Sequence, residues 1–168
     1  MDFTAIRLLI LDVDGVLTDG RVTASRGGED AKAFHVQDGC AIKVWQRSRG
    51  LVAILSGRES SDVKRRAEEL GIAWVRMGME DKLIGFEEIL RSAEVAAEAS
   101  AFVGDDLPDL GSMRRCGFPV AVANAVPTIK RVAEYVTRRR GGEGAVAETI
   151  ELILRKQRRW NVDAIPTT

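Results

Sequence analysis

Short, continuously apolar runs alternate along the chain with longer stretches in which apolar residues return every three or four positions. The run Ile6-Arg7-Leu8-Leu9-Ile10-Leu11, leading into Asp12, is too short and too uniformly apolar for a surface helix. It predicts a strand buried on both faces of a parallel sheet. The same signature returns at Leu51 to Leu55 before Ser56-Gly57-Arg58, at Ala101-Phe102-Val103 before Gly104-Asp105-Asp106, and at Val120-Ala121-Val122 before Ala123-Asn124-Ala125. Each run ends in small and polar residues, and the carboxyl ends of strands are where open α/β sheets place their ligands.

Helical patterns fill the intervals, at about Cys40 to Arg49, Ser60 to Leu70, Asp81 to Arg91, Leu107 to Arg115 and Gly144 to Arg159. The second is the cleanest, opening on a serine cap signal and closing at Gly71. Alternating strands and helices imply right-handed crossovers and a three-layer α/β/α Rossmann-like parallel sheet, here as a single domain over residues 1–168. One segment breaks the rhythm. From Gly20 to Val36 residues alternate around Ser25-Arg26-Gly27-Gly28, which predicts a β-hairpin flap inserted after the first strand. Residues from Trp160 to Thr168 read as a loose tail.

Composition narrows the function classes. The 25 Lys+Arg equal the 25 Asp+Glu, so the basic field of a dedicated nucleic-acid binder is missing and no nucleic-acid partner is expected. A chain of this length buries about 70% of its unfolded surface and folds without a disulfide or metal staple. The two cysteines, Cys40 and Cys116, form no CxxC and read as buried or partly buried free thiols of a reducing compartment. No apolar run approaches the roughly 20 residues of a membrane span and no targeting signal is visible, so a cytoplasmic protein without a membrane partner is expected. With His35 as the one histidine, chemistry rests on carboxylates, lysine and hydroxyls; His35 itself reads as a hairpin or interface residue. Trp45, Trp74 and Trp160 read as packing residues.

Asp12-Val13-Asp14-Gly15 places two carboxylates at the end of a buried strand, and residues i and i+2 of extended chain point to one side. Two like charges buried together are costly unless a cation sits between them, and a hard ion with oxygen ligands, Mg²⁺, resolves that cost. Such a pair alone is also a common turn former. Three further features single it out: Ser56 after the second strand, Lys82 opening a helix, and Gly104-Asp105-Asp106-Leu107-Pro108-Asp109 after another strand. Together they meet the needs of phosphoryl transfer: a carboxylate nucleophile, donors for phosphoryl oxygens, and a fixed lysine offsetting their charge.

In this order the residues resemble the four motifs of the haloacid dehalogenase superfamily, and the match spans nearly the whole chain. The resemblance implies that Asp12 is the nucleophile forming an aspartyl-phosphate and that Asp14 is the general acid/base. It also implies that Asp12, the Asp14 main-chain carbonyl and Asp105 hold Mg²⁺, and that Ser56, Gly57 and Lys82 hold the phosphoryl group. Asp106 and Asp109 are expected behind these, orienting Lys82 or a metal-bound water. Between Ser56 and Lys82 there is room for one helix and one short strand, but not for the separate cap domain that many members carry.

A closer resemblance is to the 3-deoxy-D-manno-octulosonate 8-phosphate phosphatase family. It is carried by Asp12 to Gly20, Lys32 to Gly39, Leu55 to Arg58, Val103 to Asp109 and Arg140 to Val146. It implies a homotetramer in which hairpins of four subunits form a central barrel and each site is completed by a neighbour, with a sugar phosphate as substrate. Members often carry Asn at His35, Arg at Gln37 and Arg at Ala147, departures that bear on sugar recognition and leave the phosphoryl chemistry intact. Arg58, beside the phosphate loop, and Arg66 are candidates to bind a substrate carboxylate bidentately, and Arg140 to reach a neighbouring site. Arg58 favours the octulosonate over nine-carbon, sialic-acid-type 9-phosphates, whose phosphatases include a type with Glu there. Other readings are a phosphatase of another small ester such as a nucleotide, an inactive regulatory relative, and a receiver-like phosphoacceptor domain. In a receiver the lysine comes last, whereas Lys82 precedes Asp105.

Overall fold

The computed structural model describes residues 2–23 and 31–161. Strands β1 (Leu8–Leu11), β2 (Leu51–Leu55), β3 (Trp74–Arg76), β4 (Ser100–Gly104), β5 (Phe118–Ala121) and β6 (Tyr135–Val136) form one six-stranded sheet in the order β3-β2-β1-β4-β5-β6. Every pairing is parallel. Helices α1 (Val36–Arg47), α2 (Ser61–Leu70), α3 (Lys82–Ala93), α4 (Leu110–Arg115), α5 (Pro127–Val132) and α6 (Ala145–Lys156) supply the outer layers. Contacts join α1 to α2 and α6, and α4 to α3 and α5, as a doubly wound sheet requires. No helix among the described residues is long and apolar enough to cross a membrane.

The central strands explain why the continuous apolar runs were readable. All four residues of β1 are fully buried, and Leu11 pairs with Ile54 on one side and Val103 on the other. The strand order reverses between β1 and β4, the position at which such sheets open a crevice.

Several expectations change at the edges. The first strand begins at Leu8 rather than Ile6. β3 is the one short strand expected between Ser56 and Lys82, three half-buried residues, whereas β6, two residues, and α5, a six-residue helix opened by Pro127, carry no such signal in the sequence. α1 starts at Val36 because the His35 ring accepts the Gln37 N–H through Nδ1 at 3.3 Å. His35 is thus a helix cap, a place usually taken by Ser, Thr, Asp or Asn. The expected hairpin turn falls on 24–30, outside the described residues, and the described residues beside it, 20–23 and 31–35, form no strand. Residues 162–168 of the expected tail also lie outside, but Trp160 packs on the core with the Arg155 guanidinium 5.5 Å above its ring. Trp45 is buried and donates to the Leu51 carbonyl at 2.8 Å. Cys40 is exposed, contrary to expectation; Cys116 is half-buried, its thiol pushed up to about 12 by burial.

α6 opens at Gly144 without a side-chain cap of its own, and Asp38 of α1 supplies one, its Oδ1 accepting the Ala147 N–H at 2.8 Å. Asp38→Ala should therefore cost on the order of 1–2 kcal/mol in thermal unfolding. Asp38→Asn keeps an acceptor and should lie within about 1 kcal/mol of wild type. Burial raises the Asp38 pKa above its ordinary 3.8, so ionisation weakens the fold. That penalty is absent below 3.8 and grows as the pH climbs to the raised folded value. The Asn variant should gain on wild type across that window; equal losses for Ala and Asn would remove the capping role.

Candidate active site

β1 delivers Asp12 between β2 and β4, its N–H donating to the Val103 carbonyl at 3.1 Å. The chain then turns sharply through Val13–Leu17, a loop closed by the Thr18 N–H on the Val13 carbonyl at 3.0 Å. Gly15 sits at φ +95°, and a Cβ there would lie 2.1 Å from Asp105 Oδ2, so the turn needs glycine for both its angle and its clearance. The Thr18 hydroxyl accepts the N–H groups of Gly15 and Gly20 at 3.3 and 3.2 Å.

Lys82, the first residue of α3, enters from beyond β2. Its Nζ donates to Asp12 Oδ1 at 2.6 Å and to Asp109 Oδ1 at 2.7 Å, with all three side chains buried. Asp109 Oδ2 accepts the N–H groups of Asp105 and Asp106 at 2.9 and 3.3 Å. Of the two carboxylates expected to orient Lys82, Asp109 makes the contact, while Asp106 accepts the Leu107 N–H at 2.7 Å and caps its own turn. Ser56 is buried after β2, its Oγ accepting the Arg58 N–H at 3.2 Å. Asp12, Asp14, Ser56, Arg58, Lys82 and Asp105 line one open cavity of about 450 Å³, together with Gly57.

The model of the haloacid dehalogenase-like hydrolase family matches residues 75–150. Over 152 residues, 90% of this chain and 81% of the relative, the chain is 47% identical to the 3-deoxy-D-manno-octulosonate 8-phosphate phosphatase KdsC of Escherichia coli K12. The chain belongs to the KdsC family. The crystal structure of the Yersinia pestis 3-deoxy-D-manno-octulosonate 8-phosphate phosphatase superposes with a TM-score of 0.91 at 43% identity, covering 94% of this chain and 85% of that one. The Moraxella catarrhalis phosphatase, solved with magnesium, phosphate and KDO, superposes at 0.90 with 39% identity, covering 94% and 90%.

In this KdsC-family chain the electrostatics ask for a cation. Burial, then the Asp109 charge, push the Asp12 carboxyl well above the usual range, against the pull of Lys82. Burial and Asp109 likewise bring Asp105 up to about 6. Burial alone would lower Lys82, but Asp12 and Asp109 outweigh it and its pKa stands above the ordinary lysine value. Carboxylate oxygens of Asp12, Asp105 and Asp109 lie within 4.8 Å of one another, and Asp105 Oδ1 is buried with no hydrogen-bond partner. Both Asp109 oxygens are already engaged by Lys82 and backbone N–H groups, so Asp12 and Asp105 are the pair suited to a hard divalent ion.

Two expected substrate residues stand apart from this cavity. Arg66 lies on α2, bound to Glu69 at 3.0 Å and packed over Gly39 of α1. Arg140 is exposed and outside the cavity lining. Conversely, Asn124 had no assigned role. Its Nδ2 donates to the Gly15 carbonyl at 3.1 Å and its Oδ1 accepts the Gly141 N–H at 2.7 Å, tying two loops at the site. Its position just past an apolar run was the only signal. Because Asp109→Ala strips Lys82 of one carboxylate and leaves two N–H groups without an acceptor, it should cost about 3–5 kcal/mol, a fall on the order of 10 °C in unfolding midpoint. A loss under about 1 kcal/mol would mean that Asp12 alone holds Lys82.

Proposed function

We propose that this chain is a Mg²⁺-dependent phosphomonoesterase that hydrolyses 3-deoxy-D-manno-octulosonate 8-phosphate, with Asp12 as nucleophile. The observation that carries the reading is the buried Asp12 carboxylate, held by Lys82 at 2.6 Å on the wall of an open cavity. An Asp12 oxygen attacks phosphorus as the bond to the sugar oxygen breaks, and Asp14 gives that oxygen its proton. Asp14 then takes a proton from water, whose oxygen attacks phosphorus and releases phosphate and the free Asp12 carboxylate. The Ser56 hydroxyl, the Gly57 N–H and the Lys82 ammonium hold the phosphoryl oxygens, while Asp109 keeps Lys82 in place. Asp12, Asp105 and the Asp14 carbonyl would hold Mg²⁺, which would supply positive charge to the phosphoryl group.

Between Ser56 and Lys82 the chain forms only α2 and β3, so no cap domain is inserted there. We read the missing cover as a neighbouring subunit in a homotetramer. Val22 and Val36, in the sequence on either side of residues 24–30, are large apolar residues exposed at 57% and 76%, in keeping with contacts to partner chains. Arg58 reads the sugar carboxylate from within the cavity, whereas Arg66 and Arg140 serve it only across such an interface. The free thiols Cys40 and Cys116 accord with a cytoplasmic location.

Phosphate release from a panel of sugar phosphates tests the reading. The octulosonate 8-phosphate should be the best substrate, ahead of nine-carbon 9-phosphates. EDTA should silence release and Mg²⁺ restore it, and Asp12→Asn should lose at least about 10²-fold in rate with its fold intact. Activity within tenfold of wild type in Asp12→Asn, or survival of thorough chelation, would overturn the mechanism. Preference for a nine-carbon ester would overturn the substrate. Light scattering should report a tetramer, and a fully active monomer would defeat the assembly.

A further inference from the structure

We propose that Lys32 is a positioning residue that fixes the Asp14 carboxyl group for proton transfer to the leaving oxygen, an inference that rests on the acid/base reading of Asp14 above. Lys32 lies on the segment leading into α1, and both its ends are held. Its backbone N–H donates to Asp62 Oδ2 at 2.9 Å, in the first turn of α2. Asp62 is itself steadied, its other oxygen accepting from Arg65 at 2.7 Å. From that anchor the Lys32 side chain, only 8% exposed, runs inward to bind Asp14 Oδ1, whose own side chain is 24% exposed.

The contact has a specific consequence. Asp14 sits in the irregular part of the loop after β1, at ψ 108°, where no regular backbone pattern fixes its side chain. A carboxyl group free to rotate spends part of its time with neither oxygen aimed at the substrate, and a misplaced proton donor loses rate steeply. With Oδ1 taken by the Lys32 ammonium, Oδ2 is left to face the cavity that Asp14 lines. Lys32 is well suited to the task because its main chain is already clamped to α2, which limits the entropy lost in holding its long stem. The segment leading into α1 therefore sets the proton donor.

The side chain can be altered without touching the backbone bond to Asp62. Lys32→Met keeps the apolar stem and removes the ammonium, and kcat/KM, which covers binding and the steps up to release of the alcohol, leaves out the later hydrolysis of the aspartyl-phosphate. For the sugar phosphate, whose alkoxide must be protonated as it leaves, kcat/KM should fall on the order of 10- to 100-fold. For p-nitrophenyl phosphate, whose phenolate leaves unaided, it should fall less than about threefold. Lys32→Arg should recover most of the sugar phosphate activity, and Lys32→Gln serves in place of Met if that variant does not fold. Equal losses on both esters, or none on either, would overturn the inference. Asp14→Asn provides the reference. If it discriminates between the esters and Lys32→Met does not, the positioning role alone falls; if Asp14→Asn does not discriminate, the acid/base reading falls and this inference with it.

Discussion

The Lys82 ammonium, buried between the carboxylates of Asp12 and Asp109, is the contact from which the rest of the site takes its place. It joins the end of β1, the start of α3 and the loop after β4, three points far apart in sequence. Two carboxylates share one ammonium, and Asp105 adds a third acid close by. The cluster therefore carries surplus negative charge inside a core whose central strand is fully buried. Removing Lys82 would leave Asp12 and Asp109 uncompensated, which is dearer than never having buried them. The same surplus makes the site a natural holder of a divalent cation and, through that cation, of a phosphate ester.

Such a cluster needs a frame that does not relax around it. The central pairing of β1 with β2 and β4 fixes the height at which Asp12, Ser56 and Asp105 emerge. Loops then close on one another at distances that tolerate no side chain: a Cβ on Gly141 would lie 1.7 Å from the Gly15 carbonyl oxygen. Asn124 bridges the same two loops with one donor and one acceptor. The loop after β1 is thus held from below by the sheet, from one side by Asn124 and from another by Lys32. Rigidity of this kind is what positioning chemistry requires.

Much of this was legible from the residues, for definite reasons. Strands buried on both faces must be apolar throughout, so β1, β2, β4 and β5 announced themselves, while β3 and β6, short and only partly covered, did not. Asp12, Ser56, Lys82 and Asp105 were legible because each follows a strand or opens a helix, where chain direction alone brings it to the crevice. Asp109 was readable as an acid near the site; that it rather than Asp106 would hold Lys82 was not, since the 3₁₀ turn at Leu107–Asp109 decides which of them faces inward. Asn124, Asp38 and Lys32 act across long sequence separations through one or two hydrogen bonds each, and no periodicity records such contacts. Arg66 lies outside this cavity for a similar reason: the turn of α2 points it at Gly39 of α1, a direction that no motif records.

The position of Lys82 also depends on a choice made inside a helix. The residue follows β3, at the far edge of the sheet, yet must reach Asp12 just past β1, two strands away and beyond Ser56 at the end of β2. It can do so only if α3 lies close against the sheet. Gly85, one turn along α3, is where that approach is made: a Cβ there would meet Leu55 Cδ1 at 2.5 Å and Met79 within 3.4 Å. Glycine in a helix interior costs roughly 0.5–1 kcal/mol relative to alanine, and nothing in the φ of this residue demands it. The gain lies in the distance, since a Cβ here would either displace Leu55 and Met79 or press α3 outward, away from the 2.6 Å contact between Lys82 and Asp12. The charge arrangement at the carboxyl end of the sheet is therefore set in part by a hydrogen atom packed against Leu55.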